Sequence, residues 1–385
     1  MDAYWTIVDG IYNTSLSLFF FTLMFLMFIV GRKGWRANNR YGGVSSIICG
    51  ICFLIFGFYN SIFRFFPYPY NGFIIWWISI IFIITVIFAL MIKKIIKKME
   101  NESQNNINTS ANDKKSSILR RYINRMTKED PYQDDISIKM ELLRKGFHLM
   151  GFLILIAYYG LFLIPPLAEI VSDTVIIFIN QVEPSYNFLW GEISDYPYSI
   201  GDFNAVIDLT MFALIASLVF AIMSDLIRIL WGPEYSIFNF LTKSMLRNKE
   251  KNAAGPQIYI MTGFIFSYML YMSGIIHISA FFAGILIACL SDAAAALIGR
   301  NYGKHKIYLR NNETKSIEGF IAGVMVAYIV GFFFVGPIYA IIGALIFFIT
   351  DYFPAFTADN ILNPIFIPIG IQVFIVLLGF PVGLI

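Results

Sequence analysis

Apolar residues run through this chain in blocks of similar length, separated by short polar or basic stretches. Ten blocks stand out: 13–31, 44–63, 73–92, 140–163, 205–230, 257–275, 277–298, 317–336, 337–352 and 363–384. Most approach the roughly 20 residues that cross a hydrocarbon core as a helix. The ninth is short, and the sixth and seventh nearly touch. Helices are expected over strands because a backbone in lipid must satisfy its own hydrogen bonds. The pattern predicts an all-α polytopic membrane protein with about ten transmembrane helices. The first block, Ser15 to Val30, has no basic segment before it and ends in Gly31-Arg32-Lys33. It reads as a span, not as a cleavable signal peptide.

Composition agrees: 58% of residues are hydrophobic and 14% charged, where a soluble domain carries about a quarter charged. Charge then sorts the loops. Segments 31–43, 93–145, 228–256 and 299–316 hold 27 of the 28 Lys and Arg residues. The other side holds Arg64 alone. Its long loop, 164–204, has no basic residue but carries Glu169, Asp173, Glu183, Glu192, Asp195 and Asp202. Basic loops stay in the cytoplasm, so the N-terminus is expected outside and the basic loops inside. The membrane would be the plasma membrane in a prokaryote and the ER in a eukaryote. Cys49, Cys52 and Cys289 all lie in apolar blocks, where cysteine acts as a small packing residue.

Three units follow from this layout. Residues 1–92 form a three-span N-terminal unit. Residues 93–136 form a cytoplasmic basic and polar linker, with Lys93, Lys94, Lys97 and Lys98 as a headgroup anchor. Residues 137–385 form a seven-span unit in which the chemistry is expected.

An ionisable residue at the edge of a span is a functional candidate. Glu141, Arg144, Lys145 and His148 fall within two helical turns, largely on one side. Asp225 and Arg228 stand at i, i+3 and can neutralise each other. Arg247 and Glu250 lie in a charged loop. Asp292 lies inside a helix of alanines, where a carboxylate is costly without a metal or a basic partner. Gly299, Arg300, Gly303 and Lys304 open a basic loop whose amides and ammonium suit phosphate. Lys315 and Glu318 stand at the mouth of the eighth span, where a helix N-terminus favours anions. Asp351, then Asp359, Asn360 and Pro364, form a last polar cluster on the same side. Together these groups suit a metal-bound polyphosphate, handled by positioning and charge neutralisation. The adjoining apolar bundle suggests a lipid as the second substrate.

In this order and spacing the motifs resemble the family of dolichol kinase, phytol kinase and CTP-dependent diacylglycerol kinase. They are Glu141-x-x-Arg144-Lys145-x-x-His148, Asp225-x-x-Arg228, Arg247-x-x-Glu250 with Gly255 and Gly263, Asp292-x-x-Ala295-x-x-x-Gly299-Arg300-x-x-Gly303-Lys304, Lys315-Ser316-x-Glu318-Gly319 and Asp359-Asn360-x-x-x-Pro364. The resemblance covers about 137–385 and leaves out the three N-terminal spans. It implies Mg²⁺-dependent transfer of the γ-phosphoryl of CTP to a membrane isoprenoid or other lipid alcohol. It implies that Asp292 and Asp359 hold the metal, with Asn360 beside them and Glu318 as a third candidate. Lys304 and Lys315 would hold phosphates, helped by Arg247, Glu250, Gly299, Arg300 and Gly303. Arg144, Lys145 and His148 would bind nucleotide or activate the lipid hydroxyl.

The Asp292–Gly319 region also resembles the CTP:phosphatidate cytidylyltransferases, which build CDP-lipids. Their closing His-Gly-Gly and Asp-Arg-x-Asp segments are absent here. Two residues depart from the kinase pattern: Ser291 where Gly is usual, and Ala358 where a second Asp is usual. A secondary transporter would place ionisable or broken-helix features near mid-membrane, whereas these spans are apolar at mid-depth. The partners expected are CTP and a membrane lipid, isoprenoid alcohol or diacylglycerol, with no nucleic acid.

Overall fold

The computed structural model describes residues 3–105, 118–127, 142, 144–146, 153, 164–191, 203–239, 252–308, 314–353 and 357–383. The protein is an all-α polytopic integral membrane protein, with one small β-hairpin among the described residues. Among the described residues seven helices are long and apolar enough to cross a membrane.

The first three expected spans are α1 (Ala3–Arg36), α2 (Arg40–Phe63) and α3 (Tyr70–Asn105). Polar seams join them at one end. The Asn60 amide donates to Asn13 and Ser17, and the Arg64 guanidinium pairs with Asp9 at 2.6 Å.

The stretch read from sequence as a linker is helical at both described ends. α3 carries the four lysines onward to Asn105, and α4 (Ile118–Thr127) follows. α4 is amphipathic: Ile123 and Met126 are buried, and the Tyr122 hydroxyl donates to the Ser236 carbonyl. Polar composition hid a helix whose few apolar residues share one face.

The long loop 164–204 also needs correction, because α5 (Pro165–Trp190) occupies much of it. Its charges exclude it as an obvious span, but Pro165-Pro166 suits a helix start, and Gly191, at φ +84°, ends it. Trp190 docks the helix against Tyr12, Phe73 and Trp76 of the N-terminal unit. The fourth expected span, 140–163, lies almost wholly outside the described residues.

The remaining expected spans fall on α6 (Phe203–Leu230), α7 (Pro256–Met272), α8 (Ile278–Tyr302), α9 (Ile317–Val335), α10 (Pro337–Tyr352) and α11 (Asp359–Leu378), of which α7 and α10 are shorter and not among the seven. α7 is central, buried along most of its length and packed against α2, α6 and α11. His277 caps α8, its Nδ1 accepting from Ser279 N–H at 3.2 Å.

Three local features place the site. First, α8 contains a π-helical turn at Ile287–Ser291, immediately before Asp292. Second, α8 and α9 cross at glycines. A Cβ on Gly319 would lie 2.5 Å from the Ala295 carbonyl and 2.7 Å from the Gly299 Cα. Third, α11 contains Pro364 and Pro368. Each proline removes the amide that would serve the carbonyl four residues earlier. Ser267 replaces one of these donors, its hydroxyl bonding the Pro364 carbonyl.

One buried ion pair is structural. Arg228 Nε donates to Asp225 at 3.0 Å and Nη2 to the Ala253 carbonyl at 2.9 Å. The other Asp225 oxygen accepts from Gly255 N–H at 2.6 Å. The pair ties the end of α6 to the loop that starts α7.

Three stability outcomes follow. Gly319→Ala is expected to lower stability by about 1–3 kcal/mol through overpacking. Gly10→Ala, with open space around its Cβ, should be close to neutral. Asp225→Ala removes the carboxylate that Arg228 and the Gly255 amide both use, and is expected to cost about 3–5 kcal/mol. Thermal unfolding in detergent ranks all three.

Candidate functional site

Asp292 of α8, Asp351 of α10 and Asp359 of α11 come together at the basic face. Asp292 follows the π turn, about 15 Å along the axis from the end of α8 by the 1.5 Å rise per residue. It is paired with the Lys145 ammonium, and the two side chains are only 17% and 7% exposed. Arg144, also buried, and Lys315 act on Asp292 through space.

Lys315 sits in the hairpin of β1 (Lys306–Tyr308) and β2 (Thr314–Ser316), where it pairs with Ile307. Its Nζ donates to Asp351 Oδ1 at 2.6 Å and to the Asp351 carbonyl at 3.0 Å. Burial disfavours the ammonium form of Lys315. The carboxylates of Asp351 and Asp359 outweigh that and hold its pKa above the ordinary lysine value. Lys315 therefore stays charged at neutral pH.

Asp351 terminates the apolar α10 and is 2% exposed. Asp359 and Asp292 both act on it through space. Asp359 opens α11, its Oδ1 accepting from Asn360 N–H at 2.9 Å. Pro364 removes the helical donor for the Asn360 carbonyl, leaving an oxygen at the same helix end.

Three buried oxygens on these elements have no hydrogen-bond partner among the described residues: Ser291 Oγ, Asp351 Oδ2 and Asn363 Oδ1. Each such group costs about 1–3 kcal/mol unless something binds it. Oxygen donors of this kind suit a hard cation or a hydroxyl. Among the described residues no three carboxylate, histidine or cysteine side chains gather closely enough to hold a metal by themselves. Mg²⁺ is commonly held by one or two carboxylates completed by substrate phosphates and water, so this donor set fits it.

The other expected residues are placed as follows. Glu318 is in the first turn of α9, beneath the Ser316 N-cap. Its carboxylate accepts from His305 Nδ1 at 2.7 Å and from the His305 amide, fastening the hairpin to α9. Gly299 lies inside α8, and a Cβ there would meet Ser316 Oγ at 2.8 Å. A Cβ on Gly303 would meet the Gly299 carbonyl at 2.2 Å. Both glycines bring α8 against β2 and α9. Arg300 and Lys304 are exposed at the rim. His148, Arg247 and Glu250 lie outside the described residues.

Asp351 was visible in the sequence as a charge in an apolar helix but had no assigned partner. Its pairing with Lys315 spans 36 residues and forms only when α9 and α10 fold back on each other. Ser291 stood out in the sequence only as a departure where Gly is usual, and Asn363 carried no signal beyond its proximity to Asp359.

Comparison with known proteins places this site in a family. The chain is 28% identical over 132 residues to CTP-dependent diacylglycerol kinase 1 of Saccharomyces cerevisiae, covering 34% of this chain and 43% of the yeast protein. It is 39% identical over 72 residues to phosphatidate cytidylyltransferase of Staphylococcus aureus, covering 19% of this chain and 26% of that enzyme. The chain thus spans less than half the length of these relatives. No solved structure matches. The model of the Cytidylyltransferase family matches residues 148–380, well over half of the chain, and takes in Asp292, Lys315, Asp351 and Asp359. This protein belongs to the cytidylyltransferase family.

Proposed function

We propose that this protein is a CTP-dependent lipid kinase, transferring the γ-phosphoryl of CTP to the hydroxyl of a membrane lipid alcohol at the basic, cytoplasmic face. One observation carries the reading: carboxylates from three helices converge with Lys145 and Lys315 around buried oxygens that lack partners among the described residues. The yeast relative, named as a CTP-dependent diacylglycerol kinase, supports the donor and the lipid acceptor. A polyprenol of the dolichol type is the acceptor expected from the sequence motifs, and diacylglycerol the one suggested by that relative.

Phosphoryl transfer asks little covalent work of the protein; positioning and charge neutralisation dominate. Asp292 and Asp359 would hold Mg²⁺, with Asp351 beside them, and the ion would neutralise charge on the phosphates. Lys145 and Lys315 are held as ion-paired ammonium groups. On nucleotide binding they would turn from carboxylate to phosphate oxygens, so no unpaired charge is buried at either stage. The free Asp351 Oδ2 is an acceptor within the site for the lipid hydroxyl proton.

The second reading is a CDP-lipid-forming cytidylyltransferase. It is favoured by the Staphylococcus aureus enzyme and separated by the fate of the label. With γ-labelled CTP, Mg²⁺, polyprenols, diacylglycerol and, in a parallel sample, phosphatidate in liposomes, a kinase places label in the lipid alcohol. A cytidylyltransferase releases it as pyrophosphate and places cytidine in the lipid.

Asp292→Ala is expected to lower lipid phosphorylation at least about 100-fold while membrane insertion persists. Full activity of this variant would remove Asp292 from the site. Lys315→Met leaves Asp351 buried and unpaired and is expected to cost about 3 kcal/mol. Adding Asp351→Leu should restore the melting temperature in detergent without restoring turnover.

A further inference from the structure

The family match covers residues 148–380, and nothing in it assigns a role to α1–α3. Yet the first turns of α2 reach the segment that launches α11. Ser45 is fully buried. Its hydroxyl donates to the Tyr41 carbonyl at 2.9 Å. Its oxygen accepts from Ala358 N–H at 2.8 Å and from the Thr357 hydroxyl at 3.3 Å. A serine hydroxyl offers one proton and two lone pairs, and all three are used here.

Ala358 is the N-cap of α11, and Asp359 is its first residue. An amide at this point has no helical carbonyl to serve it, and the Ala358 side chain cannot cap the helix. The oxygen that fixes the turn therefore comes from α2, 313 residues earlier in the chain.

The same end of α2 grips the first turn of α7 and the loop before it. The hydroxyls of Ser46 and Tyr259 lie 3.3 Å apart, and Tyr259 also donates to the Gly42 carbonyl at 3.3 Å. Gly42 has no room for a side chain, because a Cβ there would stand 2.4 Å from that of Ala253. The Gly42–Ala253 fit fixes the height of Ser45 against the Asp359 turn.

We infer that Ser45 is a positioning residue for the site: through Ser45 the N-terminal unit sets the 357–359 turn and aims the Asp359 carboxylate. The inference rests on the reading of Asp359 as a ligand of the metal–nucleotide complex. Partners that orient metal ligands typically change metal affinity or activity about 10–100-fold when removed.

The test uses the full chain in liposomes, with Mn²⁺ as a spin-active substitute for Mg²⁺. Mn²⁺ binding is titrated in the presence of CTP by electron paramagnetic resonance, alongside kcat and the KM for lipid. Ser45→Ala is expected to raise the half-saturating Mn²⁺ concentration about 10–100-fold, with the KM for lipid unchanged. Ser45→Thr keeps the hydroxyl and is expected to bind Mn²⁺ as the wild type does. Ser46→Ala removes a neighbouring buried hydroxyl that does not touch the Asp359 turn, and should leave Mn²⁺ binding unchanged. Thr357→Val approaches the contact from the other side and gives the same direction of shift should Ser45→Ala fail to fold. Wild-type Mn²⁺ affinity in Ser45→Ala or, should that variant not fold, in Thr357→Val overturns the inference, as does an equal loss in Ser46→Ala. If the wild type itself binds no Mn²⁺ and turns over no lipid, the proposed function falls, and this role of Ser45 with it.

Discussion

A charge carried into the end of a membrane helix must meet an opposite charge, and the basic face of this protein is built around that requirement. Lys145 meets Asp292, Lys315 meets Asp351, and Asp225 meets Arg228. The first two pairs join different elements, and the third fastens a helix end to the loop beyond it. Their geometry fixes how α8, α10 and the hairpin approach one another. The proposed chemistry draws on the same groups, because a site that holds its cations on carboxylates can release them to phosphates without exposing either charge to lipid.

The long apolar helices were legible because hydrocarbon admits few alternatives to a helix about twenty residues long. α5 was not, because Glu169 and Asp173 interrupt its apolar pattern and make it resemble a loop. α4 was missed for a related reason. Its sequence is basic, and its helical character shows only in the face that carries Ile123 and Met126. In α4, burial against neighbours decides the conformation, and a single sequence does not display its neighbours.

The site divides in the same way. Asp292, Lys315 and Asp359 announce themselves as ionisable residues at span ends. Which charge meets which does not, since the partners lie far apart in the chain. Gly299 and Gly303 show a different limit. They read as a phosphate-binding loop, but their missing side chains make room for Ser316 and Gly319. Loss of bulk serves close backbone approach in either role, so glycine alone does not reveal what approaches.

The π turn at Ile287–Ser291 has a consequence for how the bundle can change over time. A π turn holds about one residue more than an α turn, which rotates everything beyond it by roughly 100° about the axis. The two halves of α8 thus keep separate registers. The half before the turn answers to the packing of Ala280, Ala283 and Ile287. The half after it answers to Lys145 and the glycines of α9. Substitutions that slide or retwist the apolar half can be absorbed at the turn, so the lipid-embedded wall is free to drift while Asp292 stays aimed at its partners.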